Sequence, residues 1–225
     1  MRSLSVPRAG RPTDVSHSGA DVAATGGAGP EAGASAEEVR RFWFTRFAAN
    51  NIDLTRAFFT HPKILVAALN GPAVGLSAAL VAFADFVYAT PESYILTPFS
   101  SLGLVAEGGA SYMFGRRMGV AKSNEALILS RRIPADELVA CGFVNKLFAA
   151  EGFHAAVRAY IDDVFGEHLN HDSMIQIKKL IRESWITEME AANVREAVGG
   201  VARFAAGIPQ NEFGRIVSGQ KKHKL

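Results

Sequence analysis

The apolar pattern is most regular between Lys63 and Gly109, where it predicts a strand that leads into a buried helix. Ile64 to Leu69 is a short apolar run, and the turn-forming residues Asn70-Gly71-Pro72 follow it. A run of small and apolar residues from Leu76 to about Ala84 predicts the helix. Two short β-rich runs come next, and one carboxylate, Glu107, then lies in a glycine loop.

The segment before this unit predicts one long helix. Ser35 and Glu38 have the spacing of a capping box, and Pro62 ends the helical pattern. Between them, apolar residues recur at near-helical spacing and predict a face that packs on the core. The residues of this stripe are Val39, Phe42, Trp43, Phe47, Ile52, Leu54, Phe58 and Phe59.

The segment after the glycine loop predicts alternating elements and then a helical tail. Gly119 separates two helices over 111–118 and 121–129, and Gly142 ends a third that starts at Pro134. A last short strand is predicted over 143–148. From Glu151 onward the pattern is helical nearly to the end, with breaks near Asn170, Thr187 and 207–209. Strands that alternate with helices predict the α/β class.

These patterns divide the chain into three predicted parts. Residues 1–35 are rich in Gly, Ala, Ser and Pro and have too little apolar surface to form a core, so we expect them to be largely disordered. Residues 36–150 hold the predicted core, and residues 151–225 form a predicted C-terminal helical region.

Composition and charge argue against several classes of function. The chain has 225 residues, of which 48% are hydrophobic, and a formal net charge of +2. No stripe of basic and aromatic residues is present, so nucleic acid is not an expected partner. The uncharged run from Gly71 to Ala84 is too short to span a bilayer. The single cysteine, Cys141, cannot form an internal disulfide.

The central segment also carries the candidate chemistry, at Gly75-Leu76-Ser77 and at Glu107. N–H groups in the first turn of a helix have no partner within the helix and attract a developing negative charge. A lone carboxyl in an apolar loop has a raised pKa, because burial disfavours its charged form. The sequence has no nucleophile elbow, zinc motif, cysteine pair or phosphate-binding loop. The segment is therefore compatible with a proton-abstraction site.

Three sequence motifs point to a known family. They are HSGAD at 17–21, LNGPAVGLSAALVAFADFVYA at 69–89 and LGLVAEGGAS at 102–111. They resemble the two oxyanion-hole loops and the catalytic loop of the crotonase superfamily, the enoyl-CoA hydratases and isomerases, and most closely the fungal peroxisomal Δ3,Δ2-enoyl-CoA isomerases. The resemblance implies a crotonase-like ββα spiral core and a C-terminal helical region, within 171–219, that assembles the chain as a homotrimer or hexamer.

The resemblance also implies a site. The backbone N–H groups of Ala20 and Leu76 would hold the thioester oxygen of an acyl-CoA, and Glu107 would take a proton from C2 and return it at C4. Further substrate-binding positions are Ser18, Gly19, Asp21, Asn51 and Gly75. An ordinary amide of the helix before Pro62 is an equally good interpretation of Asn51. No cofactor is implied, because the thioester of the substrate is the electron sink. Lys178, Lys179 and the terminal lysines are candidates for contacts with the CoA phosphates.

Two positions distinguish hydration from isomerisation within the family. The hydratases use a pair of glutamates, which align with Ala79 and Phe99 of this chain. With Glu107 as the only aligned acid, the implied activity is the shift of 3-enoyl-CoA to trans-2-enoyl-CoA in the β-oxidation of unsaturated fatty acids. Two alternatives stay open at this point, a dienoyl-CoA isomerase of the same fold and a truncated, non-catalytic subunit.

The two ends of the chain add expectations of their own. The family has a strand, a helix and a strand before the SGAD loop, whereas Met1 to Val15 show no such pattern, so we expect this β-α-β unit to be missing and the Ala20 half of the oxyanion hole to be weakened. The N-terminus weakly resembles a mitochondrial transit peptide, but Pro7 and Pro12 would break its helix. His223-Lys224-Leu225 resembles the C-terminal peroxisomal address, which implies the peroxisomal matrix and its import receptor.

Overall fold

The computed structural model describes residues 2–5, as backbone, and residues 29–222. The strands are β1 Arg2–Ser5, β2 Leu65–Leu69, β3 Ala73–Val74, β4 Phe86–Ala89, β5 Tyr94–Leu96, β6 Ile133–Pro134 and β7 Lys146–Leu147. The α-helices are α1 Ala36–Trp43, α2 Ala49–Phe59, α3 Leu76–Val81, α4 Ala110–Leu127, α5 Ala135–Ala140, α6 Phe153–Val164, α7 His171–Glu183, α8 Ile186–Ala205 and α9 Ile208–Val217.

The strands form two sheets, and from β2 to β5 the chain alternates between them. The first sheet has the order β1-β2-β4-β7 with parallel pairs, and the second has the order β3-β5-β6. Within the second sheet β3 and β5 are parallel, while β5 and β6 are antiparallel. Each passage through one strand of each sheet is followed by a helix, α3 after β2 and β3, and α4 after β4 and β5. This is the ββα spiral that the sequence motifs implied.

The long helix before β2 forms as predicted but contains an irregular turn. The Ser35 hydroxyl and the Glu38 side chain make the reciprocal bonds of a capping box. A π-helical segment, Phe44–Ala48, joins α1 to α2. Each π turn accommodates an extra residue and so rotates the residues that follow it. Beyond this segment the buried residues of α2 are Asn51, Thr55 and Phe59, whereas Leu54 of the predicted stripe is 42% exposed.

Three element boundaries differ from the sequence prediction. The strand predicted over 143–148 is shortened to β7, because the N–H groups of Phe143 and Val144 donate to the Leu138 carbonyl at the end of α5. The break predicted near Thr187 lies earlier, at 184–185, and Thr187 is inside α8. The helix predicted to reach Ala84 ends at Val81 and is followed by hydrogen bonds of the tighter i to i+3 type.

One strand lies within the N-terminal region that we expect to be largely disordered. The four residues Arg2–Ser5 form a strand, which pairs in parallel with Leu65–Ala68 of β2. Its hydrogen-bonding partner lies far along the chain, so no local pattern of apolar and polar residues identifies it. The SGAD residues lie outside the described residues.

The main core lies around α3, α4 and the sheets, and the C-terminal helices take part in it. Trp185, Met189 and Ala192 belong to the same buried cluster as Phe83 and Phe114. Between α1 and α8, Trp43 stacks on Phe204 with ring centroids 4.5 Å apart. In the described part of the chain, none of the helices is both long and apolar enough to cross a membrane.

A buried ion cluster joins α7 to the start of β2 and β4. Asp85 accepts hydrogen bonds from the N–H of Leu65 at 2.7 Å, from Lys178 at 2.6 Å and from Arg182 at 3.1 Å. Lys178 is only 6% exposed. Its proposed contact with a CoA phosphate is therefore wrong, because its ammonium group is turned inward onto Asp85. Charged side chains are seldom buried in this way unless they are paired.

Candidate active site

Glu107 lies just before the N-terminus of α4, in the glycine loop that the sequence singled out. Its carboxylate oxygen Oε2 accepts a hydrogen bond of 3.0 Å from Nδ2 of Asn51, which is itself buried. The Asn51 carbonyl oxygen in turn accepts the N–H of Gly108 at 3.4 Å. Asn51 is therefore not an ordinary surface amide of α2, because it bonds to both the side chain and the backbone of the candidate catalytic loop.

The glycine loop packs closely on the first turn of α3. A Cβ atom added to Gly108 would lie 2.6 Å from Cδ1 of Leu76 and 2.9 Å from Cβ of Ala79. Gly108 also has a φ angle of +67°, which side chains disfavour. Only glycine fits this position. Because Gly108 has no side chain, the backbone next to Glu107 lies in contact with α3, the helix predicted to supply the oxyanion hole.

Gly75 and Leu76 form the start of α3. Gly75 is the N-cap residue, with φ of 64°, and its N–H donates to the Leu96 carbonyl of β5 at 2.8 Å. Leu76 is the first helical residue, so its N–H is one of the first-turn donors that have no partner within a helix. The start of α3 therefore lies against the loop that carries Glu107, and the roles of Leu76 and Glu107 that the resemblance implied stay predictions.

Glu196 of α8 is a residue of this site that the sequence analysis missed. Its Oε2 accepts the N–H of Gly109 at 2.6 Å, and its Oε1 accepts the N–H of Ser111 at 2.7 Å. The signal was present in the sequence, because Glu196 occupies the same helical face as apolar or small residues at spacings of three and four. That face is buried at Met189, Ala192, Asn193, Glu196, Ala197, Gly200 and Val201.

The surroundings of Glu107 change its acidity. Burial, followed by the nearby charge of Glu196, raises the pKa of Glu107 to about 7, and the hydrogen bond from Asn51 opposes the rise only in part. The side chain keeps some exposure to solvent. A carboxyl group with this pKa is able both to accept and to release a proton near neutral pH.

Burial also raises the pKa of Glu196, but hydrogen bonds act against that rise. Ser111 and Gly109 donate to the carboxylate, and Arg195 supplies a positive charge beside it. Its two oxygens each hold a backbone N–H group, an arrangement that favours the ionised form.

The positions that hold glutamates in the hydratases are closed to water here. Ala79 has no exposed surface and Phe99 is 2% exposed, and both belong to the apolar core cluster. In the described part of the chain, no group of three metal-binding side chains comes together. Ser18, Gly19, Ala20 and Asp21, the other half of the predicted site, lie outside the described residues, so their roles remain predictions.

Comparison with known protein families decides what this scaffold is. The family model described as enoyl-CoA hydratase/isomerase matches residues 27–197. The chain belongs to this family.

Individual relatives agree with the family assignment. The chain is 57% identical over 194 residues to a Delta(3,5)-Delta(2,4)-dienoyl-CoA isomerase of Pyricularia oryzae, a match that covers 83% of this chain and 69% of that protein. It is 36% identical over 190 residues to the 3,2-trans-enoyl-CoA isomerase of Saccharomyces cerevisiae, covering 81% of this chain and 67% of the relative.

A solved structure supports the fold in the same way. The enoyl-CoA hydratase/isomerase from Pseudoalteromonas atlantica superposes with a TM-score of 0.70 at 25% identity, over 87% of this chain and 72% of that one. The crotonase-type resemblance of the motifs and the fold that it implied are thereby confirmed.

The raised pKa of Glu107 predicts a pH-dependent cost in stability. The folded chain binds the Glu107 proton more tightly than the unfolded chain does, so between pH 4.5 and about pH 7 stability falls as pH rises. Above pH 7 the full cost is present, about 3 kcal/mol. We expect Glu107→Gln to increase the free energy of unfolding in urea at pH 8 by up to about 3 kcal/mol, and to change it little at pH 4.5. An equal effect of the substitution at the two pH values would contradict this assignment.

Proposed function

We propose that the chain is an isomerase that shifts the double bond of a 3-enoyl-CoA to give a trans-2-enoyl-CoA, with Glu107 as the group that moves the proton. The observation that carries the proposal is the placement of Glu107. A single carboxyl with a pKa of about 7 is bonded to Asn51, in a loop that packs on the first turn of α3.

The proposed reaction needs one base and one site for negative charge. Glu107 removes a proton from C2 of the substrate, and the electron pair moves into the thioester to form an enolate. The N–H groups of Leu76 and Ala20 hold the enolate oxygen. Preorganised N–H donors stabilise the negative charge that develops on this oxygen. The protonated Glu107 then returns the proton at C4, the double bond moves to C2–C3, and the enzyme regains its starting state.

The chain is better suited to isomerisation than to hydration. Addition of water calls for groups that hold the water and activate it, and the two family positions for those groups are the buried Ala79 and Phe99. One carboxyl that takes a proton and gives it back is sufficient for a shift of the double bond.

A second candidate is a dienoyl-CoA isomerase, favoured by the 57% identity to a relative of that name. Such a shift places the returned proton at a carbon farther from C2, which a second acid would serve. Glu196 is a second acid close to Glu107, but both of its oxygens accept backbone N–H groups and it is 6% exposed. With both oxygens engaged as acceptors, Glu196 is poorly placed to give a proton to a substrate, and we therefore place the Δ3,Δ2 reaction first.

Kinetics of the purified chain with a 3-enoyl-CoA and with a 3,5-dienoyl-CoA test this proposal. We expect turnover of the first substrate to exceed turnover of the second. Glu107→Gln should lower kcat by about 10²- to 10⁴-fold, because it removes the proton-transferring group. Glu188→Gln removes the same charge from an exposed position of α8 and should leave kcat unchanged.

Three results would contradict parts of this proposal. Full turnover by the Glu107→Gln variant would exclude Glu107 as the base. Faster turnover of the dienoyl substrate would select the second candidate. A folded wild-type chain that converts neither substrate would favour the third possibility, a subunit that does not catalyse.

The donor at Leu76 can be tested by removing one N–H group. Leu76 is the first residue of α3, a helix position that tolerates proline. Leu76→Pro loses both the side chain and the N–H, whereas Leu76→Ala loses only the side chain. We expect kcat of the proline variant to be about 10²- to 10³-fold below that of the alanine variant. Equal kcat values in two folded variants would show that this N–H does not hold the enolate.

Assembly and cellular location are proposals of the same kind. We propose a homotrimer or hexamer, supported by the exposed apolar residues Ile177, Leu180 and Ile181 of α7, which are 56% to 67% exposed. A monomer in sedimentation velocity would exclude it. We further propose a peroxisomal location through His223-Lys224-Leu225, and deletion of these three residues should leave a fluorescent fusion outside peroxisomes.

A further inference from the structure

Glu196 connects α8 to the loop that carries Glu107. One of its oxygens accepts the N–H of Gly109, the N-cap residue of α4, and the other accepts the N–H of Ser111 in the first turn. The donors lie 87 and 85 residues before Glu196 in the chain. A side chain from a distant helix thus caps α4, in place of the side chain that an N-cap residue usually provides.

Side chains from two helices, α2 and α8, hold the loop. Asn51 of α2 bonds to the Glu107 side chain and to the N–H of Gly108, and Glu196 of α8 bonds to the next N–H and to that of Ser111. Gly109 has little freedom to move, because an added Cβ would lie 2.4 Å from Cε of Met189. Loss of the Glu196 carboxylate would leave two buried or half-buried N–H groups without their acceptor.

The charge of Glu196 also acts on Glu107. The group that faces Glu107 from α2 is the neutral amide of Asn51, and α3 carries no titratable side chain. From α8 the charged groups are Glu196 itself and Arg195, which acts on Glu196. A second negative charge close to a carboxylate favours the protonated form of that carboxylate.

We propose that Glu196 is a positioning residue that acts through Glu107: its carboxylate fixes the glycine loop onto α8 and places a negative charge beside the proton-moving carboxyl. The inference rests on the proposed function of Glu107 for its kinetic consequence. The effect on Glu107 itself is independent of any substrate.

The test separates the charge of Glu196 from its hydrogen bonds. Glu196→Gln keeps the size of the side chain but removes the charge and one acceptor oxygen. Glu196→Asp keeps the charge but is shorter by one methylene and cannot reach both N–H groups without movement of the loop. Glu188→Gln, at an exposed position of the same helix, controls for loss of one negative charge on α8.

The first readout is the titration of Glu107 in the folded chain, followed by NMR with ¹³C-labelled glutamate and assigned by the signal missing in Glu107→Gln. In the wild-type chain we expect a midpoint at about pH 7. In Glu196→Gln the midpoint should fall by about one pH unit or more, because a nearby like charge is removed. In Glu196→Asp and Glu188→Gln it should stay near the wild-type value.

The second readout is the pH profile of kcat/KM with a 3-enoyl-CoA. Activity needs ionised Glu107, so the acidic limb should move to lower pH in Glu196→Gln by the same amount as the NMR midpoint. Glu196→Asp should lower kcat by about tenfold to a hundredfold without moving this limb, because the loop is displaced while the charge remains. A residue that only supports the fold would change kcat or thermal stability and leave the limb in place.

The outcomes distinguish this inference from the proposed function. An unchanged Glu107 midpoint in folded Glu196→Gln overturns the charge effect, even if Glu107 proves essential. Wild-type kcat in Glu196→Asp overturns the positioning effect, and this variant decides the point if the glutamine variant does not fold. If the wild-type chain has no isomerase activity but the midpoint falls as expected, the proposed function is wrong and the coupling of the two carboxyl groups is supported.

Discussion

The contact between the glycine loop and the first turn of α3 is the constraint on which the candidate site depends. Gly108 approaches Leu76 and Ala79 so closely that any side chain at this position would push the loop away. The same contact sets where Glu107 lies relative to the N-terminus of α3, because Glu107 immediately precedes Gly108 in the chain. A carboxyl group and a set of first-turn N–H groups are therefore placed together by backbone packing, and side-chain contacts then refine their geometry.

Keeping Glu107 in this position lowers the stability of the folded chain when the carboxyl is ionised. A half-buried carboxyl whose pKa is about 7 is less favourable in its ionised form than the same group in water. Two further polar groups, Asn51 and Glu196, are buried around it and are held by hydrogen bonds to the loop. Buried polar groups are tolerated when their hydrogen bonds are made, and here those bonds are made to the backbone of the loop itself.

The fold and the chemistry are separable in this family. The two sheets and the helices between them provide the frame, and Ala79 and Phe99 lie within its core. In this chain both positions are filled by apolar side chains that pack in the core. The frame is thus shared with the hydratases, while the number and position of carboxyl groups decide what it can do.

Local patterns in the sequence determined much of this protein. The capping box at Ser35, the strand β2, the start of α3 and the glycine loop with Glu107 depend on neighbouring residues, so they were predictable from spacing alone. Motif resemblance then linked them to a family and to the roles proposed for Leu76 and Glu107.

The resemblance named Asn51, but only the tertiary structure showed its hydrogen bond to Glu107. Glu196, which had no recognisable motif, was brought in by the tertiary structure alone. Tertiary packing also paired β1 with β2 and turned Lys178 inward onto Asp85. These features depend on groups that lie tens of residues apart in the chain. Hydrogen bonds between such groups exist only after the helices and sheets have packed. A local pattern can mark a helix face as buried, as at Glu196, but it does not identify the partner on the other side.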